Sequence, residues 1–292
     1  MCTIFSQNYG NCYLESNRAE VFIEKGSYSK AMEIFSAVVK NHKNAFPAYH
    51  QYGILLYKNG DYQKCSENLI RLSELGYKYE DLIWEDYGNG FSFSEMELNA
   101  LNSKIVNFKN QYLASLKNTR AKYNYDYDTE LIKIYVRDQM IRDRLSSSDS
   151  IFNVEYNKLR SNYIFTNDSI NMVKLMLLIK KYGLPAYSEV SFEAMMGFQL
   201  CLAHCAIYNW CYDYCVSVLE QIRKRFNVNY FVSPQFYANI IDRRENALNN
   251  VNFYCQLYDS DLKIYNPEEL DKRRENIYLL PISEEKPNLK VK

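Results

Sequence analysis

The sequence between residues 17 and 78 contains one pattern twice: NRAEVFIEKGSYSKAMEIFSAVVKNHKN at 17–44 and AYHQYGILLYKNGDYQKCSENLIRLSELGYK at 48–78. Four positions recur at an offset of 34 residues: Gly26 as Gly60, Tyr28 as Tyr62, Ala31 as Cys65, and Phe35 as Leu69. Glycine permits a tight turn, and a small residue lets two helices approach closely. Each copy is therefore predicted to be a hairpin of two helices.

An offset of 34 residues is the period of the tetratricopeptide repeat, and the residue types resemble that family as well. Tyr49, Tyr52 and Gly53 stand where the family has Trp, Leu and Gly. The resemblance is incomplete, because Cys65 replaces the usual alanine and no proline closes either copy. It implies a concave face that binds a peptide or protein segment, with Tyr49 and Tyr52 exposed on that face.

A third, degenerate unit is predicted at residues 80–116, where Leu98, Leu101 and Ile105 keep helical spacing but glycines interrupt the pattern at 88–90. The next segment, 117–128, loses hydrophobic periodicity and is predicted to be a linker. The predicted order is an extension at 1–16, repeats at 17–44 and 48–79, the third unit, the linker, a C-terminal helical domain at 129–285 and a tail at 286–292.

The composition favours an all-α fold, because 9 Gly and 6 Pro stand against 28 Tyr and 15 Phe. The net charge is zero, which argues against binding to nucleic acid. No stretch approaches the roughly 20 apolar residues of a membrane span, so the protein is expected to be soluble. The cysteine spacing is unlike a secreted disulfide framework, and residues 1–10 lack a signal-peptide pattern, so a cytoplasmic location is expected. The alternative is an exported protein, if Met1 is not the native start and residues 1–7 end a signal peptide.

The C-terminal part resembles a bacterial domain of unknown function that often follows tetratricopeptide-like repeats. The similarity is an ordered set: Asp138-Gln139 with Arg142, Asp168 with Asn171, Tyr-Gly-x-Pro at 182–185, His204, Asp242-Arg243, Gln256 with Tyr258, and Arg273-Arg274. Two positions depart from the family pattern, since Ala203 replaces a glutamine and Asp259 replaces a glycine. Because that family has no established activity, the resemblance implies candidate positions and no chemistry.

These positions permit two interpretations. The favoured one is structural: Asp138, Arg142, Asp242 and Arg243 form salt bridges between helices, because buried charges must be paired. In the other, His204 is a general acid/base, Asp138 or Asp242 orients its ring, and an arginine holds an anionic group. The candidate residues for binding an anion or substrate are Arg142, Arg243, Arg274, Gln139, Asn171, Gln256 and Tyr258.

Four cysteines, Cys201, Cys205, Cys211 and Cys215, fall on one face of a long helix predicted at 192–218. On that helix the first and last lie about 21 Å apart, too far to share one zinc ion. Helical neighbours at i,i+4 are also too widely separated for a disulfide. The cysteines are therefore predicted to be small packing residues, and no metal or cofactor is expected.

Two functions remain open at this point. The favoured one is a protein-interaction or scaffold protein, whose tetratricopeptide-like repeats bind a protein or peptide partner. The alternative is an uncharacterised enzyme, such as a hydrolase, whose C-terminal domain holds a polar site of His204 with Asp138 or Asp242 and with Arg142 or Arg243. The oligomeric state is left open by the sequence.

Overall fold

The computed structural model describes residues 2–43, 45–83, 93–120, 123–146, 154–186, 189–225, 234–255 and 263–285. Its helices confirm the predicted all-α fold. Among the described residues, strands occur only as a two-residue parallel pair, β1 (Val251–Asn252) with β2 (Lys263–Ile264). No helix in this part of the chain is both long enough and apolar enough to cross a membrane.

The chain divides into two compact units, residues 1–122 with 223–292, and residues 123–222. The division at 122 falls inside the predicted linker, most of which is helical, since α6 continues to Thr119 and α7 begins at Tyr125. The second division was not predicted: it separates residues 223–285 from the rest of the expected C-terminal domain. The predicted tail at 286–292 lies outside the described residues.

Unit 1 begins with two helix hairpins. They comprise α1 (Cys2–Glu24), α2 (Tyr28–Asn41), α3 (Phe46–Lys58) and α4 (Tyr62–Glu74). Both inter-helix turns place a glycine in the left-handed region, Gly26 at φ +70° and Gly60 at φ +81°. Ala31 and Cys65 are both fully buried, as expected for small residues between closely packed helices. Residues 1–16 are not a separate extension, because α1 is continuous from Cys2.

The remainder of unit 1 contains five more α-helices in its described residues. They are α5 (Glu95–Lys104), α6 (Phe108–Thr119), α11 (Pro234–Asn249), α12 (Leu270–Glu275) and α13 (Ile282–Glu285). Ser94 begins α5 with a capping box, in which its hydroxyl accepts from the backbone N–H of Glu97 while the Glu97 carboxylate accepts from the Ser94 backbone. The glycines at 88–90 lie outside the described residues.

Unit 2 consists of α7 (Tyr125–Ser146), α8 (Val154–Tyr182), α9 (Phe192–Cys205) and α10 (Tyr212–Arg225). Helix α7 packs on both α8 and α9. At the α7–α9 contact, a Cβ added to Gly197 would overlap the backbone oxygen of Leu131 and lie 3.1 Å from Tyr135 Cβ. Only glycine therefore permits the two helices to approach this closely, and this contact lies two turns before the candidate site.

The long helix predicted at 192–218 is wrong, because the chain turns between Cys205 and Tyr212. Backbone hydrogen bonds from Tyr208 to Cys205 and from Cys211 to Tyr208 form this turn. The Cys211 thiol lies 3.0 Å from the Cys205 carbonyl oxygen. All four cysteines are buried, which confirms their predicted packing role. Cys201 and Cys205 lie on α9, Cys211 lies in the turn and Cys215 lies on α10.

Candidate functional site

Three helices of unit 2 bring five polar side chains together. Asp138 and Arg142 lie one turn apart on α7, Asp168 is on α8, His204 is in the last turn of α9, and Tyr208 is in the turn that follows. Of the two partners considered for the His204 ring, Asp138 and Asp242, the structure places Asp138 beside it. We refer to these five residues as the polar cluster.

The contact between Asp138 and His204 orients the imidazole ring. His204 Nδ1 lies 2.9 Å from Asp138 Oδ1. Asp138 is 2% exposed, whereas 17% of the His204 side chain is exposed. Within the described part of the chain, His204 Nε2 makes no hydrogen bond. One ring nitrogen is therefore fixed by a carboxylate, and the other remains open to form a bond.

Arg142 links the two carboxylates of the cluster. Its Nε lies 3.2 Å and 3.3 Å from the two oxygens of Asp138. Its Nη2 donates to both oxygens of Asp168, at 2.9 Å and 3.1 Å. This use of one guanidinium for two carboxylates needs the planar fork of arginine, which lysine lacks. The side chain keeps 29% exposure, and Nη1 donates to no described residue.

Two further side chains complete the hydrogen bonding of the carboxylates. Gln139 Nε2 donates to Asp138 Oδ2 at 2.9 Å. The Tyr208 hydroxyl donates to Asp168 Oδ2 at 3.0 Å, and the Tyr208 ring packs edge-on against Phe165. Each carboxylate thus has several donors, as buried carboxylates require.

The surroundings shift the pKa values of the two carboxyl groups in opposite directions. Burial alone would raise the pKa of Asp138, but the hydrogen bond and charge of His204, with Arg142, outweigh it and lower the pKa below its ordinary value. Burial also raises the pKa of Asp168, and here Arg142 and Tyr208 only partly offset the effect. The pKa of Tyr208 is raised, first by burial and then by the Asp168 charge. Asp138 is therefore the more firmly ionised carboxylate.

The cluster also contains a set of atoms that could hold a metal ion. Among the described residues, one carboxylate oxygen each from Asp138 and Asp168 and one His204 nitrogen lie within 4.8 Å of one another. Both carboxylates, however, already pair with Arg142. A divalent ion would have to displace that guanidinium. The positive charge that balances the two carboxylates is therefore that of Arg142.

Asn171 is the remaining predicted site residue in unit 2. It is buried on α8 one turn after Asp168, and its Oδ1 accepts from Arg137 Nη1 at 3.1 Å. Asn171 therefore links α8 to α7 beside the cluster. Its partner Arg137 was not predicted.

Asp242, Arg243 and Arg274 belong to unit 1, whereas His204 belongs to unit 2. Asp242 Oδ1 accepts from the backbone N–H groups of Phe253 and Tyr254, at 2.6 Å and 2.5 Å. Asp138, and not Asp242, therefore orients His204. Asp242 instead fixes the backbone that follows α11. Arg243 is exposed on α11.

Arg274 is fully buried, which contradicts its predicted role in binding an anion. Its guanidinium donates to the backbone oxygens of Leu280 and Tyr254, both at 2.6 Å, and to Glu285. These bonds bind three segments of unit 1 together. Two further candidates, Gln256 and Tyr258, lie outside the described residues.

The prediction that Tyr49 is exposed on a peptide-binding face is wrong. Tyr49 is buried, and its hydroxyl donates to the Val39 carbonyl oxygen at 3.1 Å. A Cβ on neighbouring Gly53 would come within 2.7 Å of Leu69 Cδ2, so α3 and α4 are closely packed at this point. Tyr52 is partly exposed.

The fold and the polar cluster define an all-α protein in which a carboxylate-bound imidazole lies beside an arginine that bridges two carboxylates. No protein-family model, curated protein or solved structure matches the chain. The resemblances to tetratricopeptide repeats and to the bacterial domain of unknown function stay predictions.

Proposed function

We propose that unit 2 contains an acid–base site in which His204 transfers a proton through Nε2. The observation that carries the proposal is the 2.9 Å contact between His204 Nδ1 and the buried Asp138 carboxylate. A carboxylate in this position holds the ring in one orientation and favours the tautomer with Nδ1–H. It leaves Nε2 as the nitrogen that exchanges a proton with a bound molecule.

The arginine supports the same proposal. Arg142 donates through Nε and Nη2 to Asp138 and Asp168, while Nη1 donates to no described residue and the side chain is partly exposed. A guanidinium with a remaining donor is suited to bind an anionic oxygen. The proposed reaction class is therefore hydrolysis or another transfer that needs a proton donor and an anion-binding group.

Chemical modification tests whether the His204 ring is accessible to a reagent in solution. The chain has only three histidines, so carbethoxylation by diethyl pyrocarbonate can be followed at each by peptide mass mapping. His50 is an internal reference for a sealed ring, because it is buried and burial lowers its pKa to about 4. We expect His204 to react and His50 to resist. If His204 resists as strongly as His50, the proposal fails.

Turnover is tested with chromogenic carboxylate and phosphate esters. We expect His204→Gln to reduce turnover about 100-fold or more, the usual contribution of a general acid/base. The matched control is His42→Gln, which changes a partly exposed histidine of unit 1. Equal turnover by the His204 variant and the wild type would contradict the proposal.

A second proposal is the predicted protein-binding role of the helix hairpins. An open cavity of 290 Å³ in unit 1 supports it, lined by Glu15, Glu33, Ile34, Ala37, Val38, Asn41 and His42. Ala37 is exposed there, so Ala37→Arg would obstruct the cavity without disturbing the core. The proposal predicts that this variant loses partners captured by in-cell cross-linking of the full chain. An unchanged partner set would contradict it.

A further inference from the structure

Helix α8 has apolar side chains on two opposite faces. One face is buried and includes Met172, Leu175 and Leu178. On the other face, a row of exposed residues consists of Leu159, Tyr163, Thr166, Ile170, Val173 and Leu177, which we call the α8 seam. Its five apolar members are between 51% and 67% exposed. The buried face explains how α8 joins unit 2, but it leaves the seam without a role.

The spacing of the seam predicts what could cover it. The steps between successive members alternate between four and three residues from 159 to 177. At about 100° per residue, all six lie within about 40° of one line along the helix. A stripe this narrow with a seven-residue period is the surface that packs against another helix in a coiled coil. A helix that lies in a membrane surface has a much broader apolar face.

The charges beside the seam predict the character of that helix. Five cations occur along this part of α8: Lys158, Arg160, Lys174, Lys180 and Lys181. The only acidic residue from 158 to 182 is Asp168. It is buried in the polar cluster, on the side of the helix opposite the seam. Lys174 is already paired with Glu130, and the Lys181 ammonium lies 4.6 Å from the centre of the Tyr182 ring.

The excess of cations over acidic residues along the seam disfavours a second copy of the chain as the partner. Two α8 helices packed seam to seam in antiparallel orientation would bring their flanking cations together, and like charges in these positions oppose pairing. Acidic side chains beside the partner's apolar stripe would be attracted instead.

We propose that the α8 seam binds an amphipathic helix of another protein, with leucine-type residues in a heptad stripe and acidic residues beside it. The bound helix buries the exposed side chains of Ile170, Val173 and Leu177. Lys180, Lys181 and Arg160 attract its flanking carboxylates. This interaction is independent of proton transfer at His204, because the seam lies on the face of α8 opposite Asp168, the member of the polar cluster on this helix.

The test uses the full chain and two designed peptides of about three heptads, with leucine at the seam-facing positions. One peptide has glutamate beside the leucines and the other has lysine. Fluorescence anisotropy should show that the glutamate peptide binds at least about tenfold more tightly, with an affinity that falls as salt is added. The double variant Ile170→Ser/Leu177→Ser should bind at least about tenfold more weakly.

The matched control is Met96→Ser/Leu248→Ser, which removes two exposed apolar side chains from unit 1. It should bind the glutamate peptide as the wild type does, and circular dichroism should show equal helix content in all three proteins. Failure of the glutamate peptide to bind, or equal binding by the seam variant, would overturn the proposal. So would phosphatidylserine vesicle binding or sedimentation as a dimer that the seam variant loses, because a membrane or a second copy would then be the occupant.

Discussion

Gly197 on α9 lies so close to Leu131 on α7 that a methyl group on Gly197 would overlap the Leu131 backbone oxygen. Two helical turns further along the same two helices, His204 meets Asp138 at 2.9 Å. Because both contacts join the same pair of helices, the close approach at Gly197 sets the separation at which the carboxylate reaches the imidazole.

Gly197→Ala is therefore expected to destabilise unit 2, although alanine is intrinsically the better helix former. Overpacking at a backbone contact typically costs about 1–3 kcal/mol, and backbone atoms cannot move aside as a flexible side chain can. Urea unfolding measures the change in stability. A more stable variant would show that helix propensity outweighs the contact and that α7 and α9 are not held together at this point.

Arg142→Lys is expected to lower the free energy of unfolding by about 2–3 kcal/mol, because an ammonium group cannot bridge Asp138 and Asp168 as the guanidinium does. The control is Lys133→Gln, which removes an exposed ion pair with Glu130 on the same helix. That variant should change the stability by less than about 0.5 kcal/mol. Equal effects of the two substitutions would mean that the arginine bridge contributes no more than a surface pair.

The two aspartates of the cluster are expected to affect the pH dependence of stability in opposite ways. The pKa of Asp138 is lowered from 3.8, so its ionised form stabilises the fold above that pH, and the contribution is lost as the pH falls through the folded pKa. The pKa of Asp168 is raised from 3.8, so stability from this group falls as the pH rises from 3.8 through the folded pKa.

Urea unfolding from about pH 3 to 7 separates these effects. The stability difference between the wild type and Asp138→Asn should increase with pH over the acidic range. The corresponding difference for Asp168→Asn should decrease. Parallel curves for the two variants would contradict the opposite pKa shifts.

Arg274→Ala is expected to destabilise unit 1 by about 3–4 kcal/mol, because it leaves the buried oxygens of Leu280 and Tyr254 without their donor. Lys272→Ala, which removes an exposed cation from the same helix, is the control and should be nearly neutral. Thermal unfolding monitored by circular dichroism distinguishes the two. If Arg274→Ala proved as stable as the control, the buried hydrogen bonds would not be structural.

The features that the sequence predicted correctly depend on local spacing. Gly26 and Gly60 identify the hairpin turns, because left-handed backbone strongly favours glycine. Asp138 and Arg142 are four residues apart, so any helix through them places both on one face. No local pattern connects His204 to α7, and it was named only as the single histidine of the C-terminal part and through a resemblance that stays a prediction.

The errors arose where tertiary contacts decide the outcome. The cysteine-rich stretch has helical spacing throughout, and no proline or glycine marks the turn after Cys205. That turn brings Tyr208 to Asp168. The only sign in the sequence that Tyr208 belongs to the cluster was its spacing of four residues from His204. Arginine and aspartate are typical of polar sites, so Arg274 and Asp242 were named as candidates. The sequence does not show that both side chains are buried and bound to backbone groups.

The most direct test of the central claim is nitrogen NMR of the His204 ring, which identifies the nitrogen that carries the proton when the ring is neutral. The contact with Asp138 predicts the proton on Nδ1 in the wild type, and loss of this preference in Asp138→Asn. A proton on Nε2 of the neutral ring in the wild type would contradict the proposed acid–base site.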